Sequence, residues 1–295
     1  MTGDCGCQPP EIWDAGSDTR YLLHERVGIG ATAQVFRGTD HRDGRPVAIK
    51  VAALADKRNG ERIAAEAVLM EGLRHPALVK FVDKGTGAAD SRWAGRPFLV
   101  QELVYGSSLA ETIRWGPVPG SEVAPWAVGL LSGLRHLHAR GIVHRDIKPA
   151  NLLLSRLRKC PVRIIDFGIA APAGTEPEPG TSSGTVQYMS PEQANGETVR
   201  PADDIYALGL VLLECLTGVK AFPGTAVESL VARTLRSPGI PQHLGPQWAS
   251  LLGSMTARHA AVRPTALEAT AEAAMLLQRP HPLRRRVEAR SGSYC

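Results

Sequence analysis

The chain has 295 residues, 43% hydrophobic and 21% charged, which excludes disordered and fibrous classes and leaves room for one large domain or two modest ones. The formal net charge of +5 suits acidic partners, but part of it sits in Arg284, Arg285, Arg286 and Arg290, and with only 5% aromatics no stacking platform for nucleic acid is expected. The longest apolar stretch, residues 205–216, contains Glu214 and is too short to cross hydrocarbon about 30 Å thick, so it reads as a buried helix and no membrane anchor is expected.

In chain order, residues 1–10 lack a charged head followed by an apolar run, so they do not read as a signal peptide. Five dispersed cysteines make no disulfide framework and fit a reducing cytoplasm; Cys5 and Cys7 read as free thiols of a tail, because two thiols lack the further ligands of a structural zinc site. Strands are expected over 21–28, 34–39 and 45–53, with Pro46 at a strand opening where it interrupts no ladder. A helix over 59–73 carries Ile63, Ala67 and Met70 on one face, and strand-like runs follow at 77–83 and 97–103 around a surface loop, 85–96. Beyond Gly106 the pattern turns helical, over 122–140, 204–217, 226–235, 246–256 and 265–277. Pro, Gly, Ser and Thr crowd residues 171–185, which reads as a mobile loop, and 1–17 and 278–295 read as tails.

Three groups of residues carry chemistry. Gly28-Ile29-Gly30, between two strands, lets backbone amides approach phosphate oxygens, and the following strand argues against a dinucleotide-binding turn. In Val47-Ala48-Ile49-Lys50 a lysine ends an apolar strand, and a cation facing a core needs an anion. Glu66 shares a helix face with Ile63 and Met70 and is the favoured partner, with Glu61 and Glu71 as alternatives; taken alone, Lys50 reads better as a surface lysine snorkelling from an edge strand. The third group is His144-Arg145-Asp146-Ile147-Lys148-Pro149-Ala150-Asn151 with Ile164-Ile165-Asp166-Phe167-Gly168, which offers one base and two oxygen ligands for magnesium.

On these motifs the sequence resembles the eukaryotic-type Ser/Thr protein kinases, particularly their bacterial members, over about residues 21–277. The resemblance implies an α+β, two-lobed kinase fold: a tail over 1–17, a small β-rich lobe over 18–105, a larger helical lobe over 106–277 and a basic tail over 278–295. It further implies transfer of the γ-phosphate of ATP, with Mg2+, to serine and threonine of protein substrates. In its terms Lys50 holds phosphates, Glu66 orients Lys50, Asp146 accepts the hydroxyl proton, Lys148 offsets charge on the transferring phosphate, and Asn151 and Asp166 hold magnesium. Val27, Val35, Ala48 and Leu153 would enclose adenine, with backbone groups of Glu102, Leu103 and Val104 bonding it behind Gln101. Met70, Phe81, His144 and Phe167 resemble a stacked apolar column, which makes His144 a core residue without a proton-transfer role.

Later landmarks agree: residues 184–192 resemble a peptide-docking segment, Glu192 and Arg263 its anchoring pair, and Asp204 the acid that anchors the catalytic loop. The chain departs from the family pattern at Ala33, in place of a third glycine, at Ser190, in place of the commoner alanine, and at Tyr105, where an acid often meets the ribose. Arg145 beside Asp146 suggests control by phosphorylation, with Thr175, Thr181, Ser182 and Ser183 as candidate sites and self-association as a route to autophosphorylation. A pseudokinase scaffold would lack one of Lys50, Asp146, Asn151 or Asp166, and a small-molecule kinase would lack the docking segment.

Overall fold

Apolar residues at alternate positions build the first half of the molecule. In the computed structural model, which describes residues 12–14, 19–30, 32–53, 57–88, 93–155, 160–176 and 186–278, six strands make one antiparallel sheet. They are β1 (Ile12–Asp14), β2 (Thr19–Ile29), β3 (Ala33–Asp40), β4 (Pro46–Ala52), β5 (Phe81–Thr86) and β6 (Pro97–Glu102), in the spatial order β1-β2-β3-β4-β6-β5. Val47, Ile49 and Val51 pack with Tyr21, Phe36 and Phe98 on one face of the sheet. Alternation along β4 therefore sends Ala48 and Lys50 to the other face. Helix α1 (Lys57–Glu71) packs on the sheet and buries Ile63, Glu66, Ala67 and Met70, an inward stripe at helical spacing.

The second half is helical, with α2 (Leu109–Ile113), α3 (Gly120–His138), α4 (Pro191–Ala194), α5 (Pro201–Thr217), α6 (Ala226–Leu235), α7 (Pro246–Met255) and α8 (Ala266–Met275). Two short ribbons, β7 (Ile142–Val143) with β10 (Ala171–Pro172) and β8 (Leu152–Leu154) with β9 (Val162–Ile164), carry the loops that face the sheet. Every residue of α5 from Asp203 to Leu216 is buried, so this apolar helix is the axis around which the others pack. Among the described residues no helix is long and apolar enough to cross a membrane.

Four expectations change on contact with the structure. The run 77–83 is only partly a strand: Ala77, Leu78 and Val79 are buried, yet they bond β9 rather than the large sheet, through Val79 N–H to Ile164 O (3.0 Å) and Ile164 N–H to Ala77 O (2.7 Å). Their apolar character reflects burial between the two halves. The tail assigned to 1–17 contributes β1, whose backbone pairs Ile12 with Leu22 and Trp13 with Tyr21. Residues 85–96 are not simply a surface loop, because Trp93 is 5% exposed and packs edge-on against Phe36 at 5.3 Å. Finally, Ala171 and Pro172 of the expected mobile loop pair with β7. Cys5, Cys7, Thr181, Ser182, Ser183, Gly184, Thr185 and the basic tail from 279 onward lie outside the described residues.

Candidate active site

A cleft of about 720 Å3 separates the sheet from the helical half. Its roof is the β2–β3 hairpin, closed by Gly30 N–H donating to Ala33 O at 2.8 Å, with Gly28 opposite Val35. Val27, Gly28, Gly30, Val35, Ala48 and Lys50 line it from above, and Glu102, Val104, Asn151, Leu153 and Asp166 from the connection and from below. The chain passes from β6 into the helical half through Gly106, where an added Cβ would lie 1.8 Å from the Leu154 carbonyl oxygen, so only glycine fits this crossing.

Period-two placement on β4 and the inward stripe of α1 bring Lys50 and Glu66 together. Lys50 Nζ lies 2.9 and 2.7 Å from the two Glu66 carboxylate oxygens and 2.5 Å from Asp166 Oδ1. The alternatives stay outside: Glu61 approaches Lys57 at 3.9 Å and Glu71 pairs with Lys84 at 3.2 Å, all on exposed side chains. Glu66 also accepts Phe167 N–H at 3.0 Å, so one buried carboxylate ties α1 to both the lysine and the segment after β9. Burial pulls the Lys50 pKa down, but Glu66 and Asp166 outweigh it and hold the ammonium above the ordinary lysine range. For Asp166, burial pushes upward and Lys50 prevails, so its carboxyl lies below the usual range. Asp166 takes a left-handed backbone, φ 63°, uncommon for a residue with a Cβ and typical of functional sites. A Cβ at Gly168 would stand 3.2 Å from Asp166 Oδ1 and 3.3 Å from Lys50 Nζ, so glycine keeps this pocket of charge open.

The loop between β7 and β8 is built on α5. Buried Asp204 accepts the backbone N–H groups of His144 and Arg145, each at 2.8 Å, and pairs with His138 Nε2 at 2.9 Å. Burial alone would raise the Asp204 pKa, yet His138 and these donors hold it below the ordinary value. So anchored, the loop accepts a second left-handed residue, Arg145 at φ 67°, and orients Asp146. The Asp146 carboxylate accepts Lys148 Nζ at 2.7 Å and Asn151 Nδ2 at 2.9 Å, and Asn151 also donates to the Asp146 carbonyl. The His144 ring is fully buried, 5.0 Å from Phe167.

Below this loop lies a platform of buried polar contacts. Glu192 and Arg263 pair at 2.7 Å, with Arg263 stacked over Tyr206. Ser190 caps α4 and donates to Asp203 Oδ1 at 2.6 Å, which gives the departure from alanine a structural use. Tyr188 donates to Glu214 at 2.6 Å. Sequence reasoning passed over Ser108 and Glu111, which line the cleft beside Tyr105. The signal was present: Ser-x-x-Glu is a capping box, and Glu111 accepts the Ser108 backbone N–H at 2.7 Å, placing an acid near this end of the cleft. Arg163, which meets Glu102 at 3.1 Å and donates to Leu78 O, was missed as well.

The family model described as protein kinase domain matches residues 21–275. Serine/threonine-protein kinase PknL of Mycobacterium tuberculosis is 36% identical over 257 residues, covering 83% of this chain and 62% of that protein. PknB of Mycobacterium leprae is 35% identical over 240 residues, 79% of this chain and 37% of the relative. A probable serine/threonine-protein kinase of Streptomyces coelicolor is 37% identical over 237 residues, 77% of this chain and 35% of that protein. The chain thus spans less than two thirds of the length of each of these relatives. With a match that runs from β2 to the last helix and takes in both walls of the cleft, the chain belongs to the protein kinase domain family.

Proposed function

We propose that this chain is a Ser/Thr protein kinase that transfers the γ-phosphate of ATP to protein hydroxyls. The observation that supports it most is convergence: Lys50, Asn151 and Asp166 line one cleft, and Asn151 is hydrogen-bonded to the Asp146 carboxylate. Hard oxygen donors on Asn151 and Asp166, beside space that a Cβ at Gly168 would invade, suit magnesium. When bound there, magnesium neutralises phosphate charge. Lys50, held by Glu66, would bind phosphate oxygens under the Gly28 and Gly30 backbone, and backbone groups of Glu102 and Val104 would bond adenine between Val27, Val35, Ala48 and Leu153. Asp146 would take the hydroxyl proton, fixed in orientation by Lys148 and Asn151, with Lys148 also offsetting charge on the phosphoryl group. We assign the two lobes to 18–105 and 106–277. The buried free thiols Cys160 and Cys215 fit a cytoplasmic setting.

For regulation we propose autophosphorylation at Thr181, Ser182 or Ser183, by self-association. Thr175 is the weaker candidate because its hydroxyl already donates to Pro172 O at 2.7 Å. The transfer reaction is tested with radiolabelled ATP and a mixed Ser/Thr peptide library. Wild type should label serine and threonine while Asp166→Ala does not; equal labelling by the variant overturns the assignment.

A further inference from the structure

Arg233 is the largest fully buried side chain of the described residues, at 0% exposure on α6. Among those residues no carboxylate pairs with it. Its three nitrogens donate instead to oxygens: Nε to Ser229 O at 3.0 Å, Nη2 to Ser229 Oγ at 2.6 Å and to Gln187 O at 2.9 Å, and Nη1 to Met189 O. Two of these acceptors are on α6 itself. The other two are main-chain carbonyls at the 3-10 turn Val186–Tyr188, in the peptide-docking segment. Phe222 contributes its ring face, 5.5 Å from the guanidinium carbon.

A buried cation without a counter-ion is tolerated only where fixed dipoles replace water, and here half of those dipoles belong to the docking turn. If the turn moved away, Arg233 would lose two charge-assisted bonds at once, and two carbonyls would lose their donor. The surroundings of α6 point the same way. Its principal neighbours are that turn and α4, which follows it in the chain. Its outer face leaves Val227, Val231 and Leu235 exposed. Ala232 packs on the small apolar cluster of Tyr206, Leu210 and Phe222, which Tyr188 of the docking turn also joins. Helix α6 is therefore fastened in large part through the docking segment, where Arg233 supplies the polar bonds; a second polar tie, Arg258 Nη2 to Thr234 O at 2.8 Å, lies at its far end.

We propose that Arg233 is a positioning residue for the protein substrate: it fixes the main chain of Gln187–Met189 in the shape that receives the peptide beside the phosphorylated hydroxyl. The proposal rests on the kinase reading above. Because Arg233 grips carbonyl oxygens, its hold does not depend on the side chains of residues 187–189.

Two variants separate positioning from simple stability. Arg233→Met removes the charge at similar volume but leaves the Gln187 and Met189 carbonyls without their donor, so its stability is measured beside its kinetics. Arg233→Lys keeps the charge but offers one nitrogen where three were used. In steady-state assays both should raise the peptide KM about tenfold, the loss of roughly one charge-assisted hydrogen bond, while the KM for ATP stays unchanged. Hydrogen exchange should quicken at residues 186–196 and remain as in wild type across α5. An unchanged peptide KM, or equal rises for peptide and ATP, overturns the proposal, as does unchanged exchange over 186–196. Failure of wild type to label any peptide would instead defeat the kinase reading, and the exchange comparison would still decide whether Arg233 holds the turn.

Discussion

The cleft and the platform below the catalytic-loop segment 144–151 are both organised by charged residues, but they satisfy those charges differently. In the cleft Lys50 touches two carboxylates, and one of them, Asp166, keeps a side chain that is 41% exposed. In the platform Arg263 is 0% and Glu192 9% exposed, and every donor of the pair that is bonded goes to the fold itself. The cleft retains capacity for a ligand, whereas the platform has turned its charges inward. Substitutions in the first should therefore alter chemistry with folding intact, and substitutions in the second should alter folding or substrate docking.

The largest effect belongs to the platform. Arg263→Ala leaves the Glu192 carboxylate buried with Ala260 N–H as its remaining partner, at 2.9 Å. Breaking a buried pair from one side costs about 3–5 kcal/mol. Urea denaturation should show that loss as a lower midpoint with an unchanged slope; a drop below about 1 kcal/mol would erase the contrast with the cleft. Next comes Asp146→Asn, which, on the proposed role of Asp146 as the base, should lower turnover about a hundredfold or more. Its carboxamide oxygen can still accept from Lys148 and Asn151, so the denaturation midpoint and ATP binding should stay near wild type. Unchanged turnover would remove Asp146 from the mechanism.

How far each region was legible from sequence follows the same division. The choice of Glu66 over Glu61 and Glu71 was readable because α1 has a clear inward face, a local periodicity. Lys50 was not: alone it read better as a surface lysine, and only the later motifs turned it inward. The contact of Lys50 with Asp166, 116 residues apart, was readable only through the kinase resemblance, since no spacing encodes it. Arg233 was silent because its partners are backbone carbonyls, which carry no residue identity. Ala77–Val79 misled for a related reason: an apolar run reports burial but not which neighbour it is buried against. Trp93 and β1 were missed because loop composition and tail position outweighed single residues whose partners lie elsewhere in the sheet.

Acid should sharpen the comparison further. Asp204 has a depressed carboxyl pKa in the folded state, so it binds its proton less readily folded than unfolded. Its contribution is then fully present above the unfolded value of about 3.9 and is lost as pH falls through the folded one. Asp204→Asn should flatten the acid limb of stability against pH below about pH 5, although Asp166 and Asp40, also depressed, keep part of the slope. An acid limb identical to wild type would mean that the anchoring of His144 and Arg145 does not depend on the Asp204 charge.

Ser190→Ala should have the smallest effect, about 1–2 kcal/mol, as expected for an N-cap that also serves a buried acceptor. The hydroxyl accepts Gln193 N–H at 3.0 Å and donates to Asp203, so its removal uncaps α4 and leaves Asp203 with the Arg200 N–H. Burial already holds the Asp203 carboxyl above its usual range, and the Ser190 donor works against that shift. A double-mutant cycle with Asp203→Asn distinguishes the two roles. If the cap dominates, the two changes add. If the Ser190–Asp203 bond dominates, the second substitution after the first has almost no further effect, and the platform is then held by its buried polar pairs rather than by the ends of its helices.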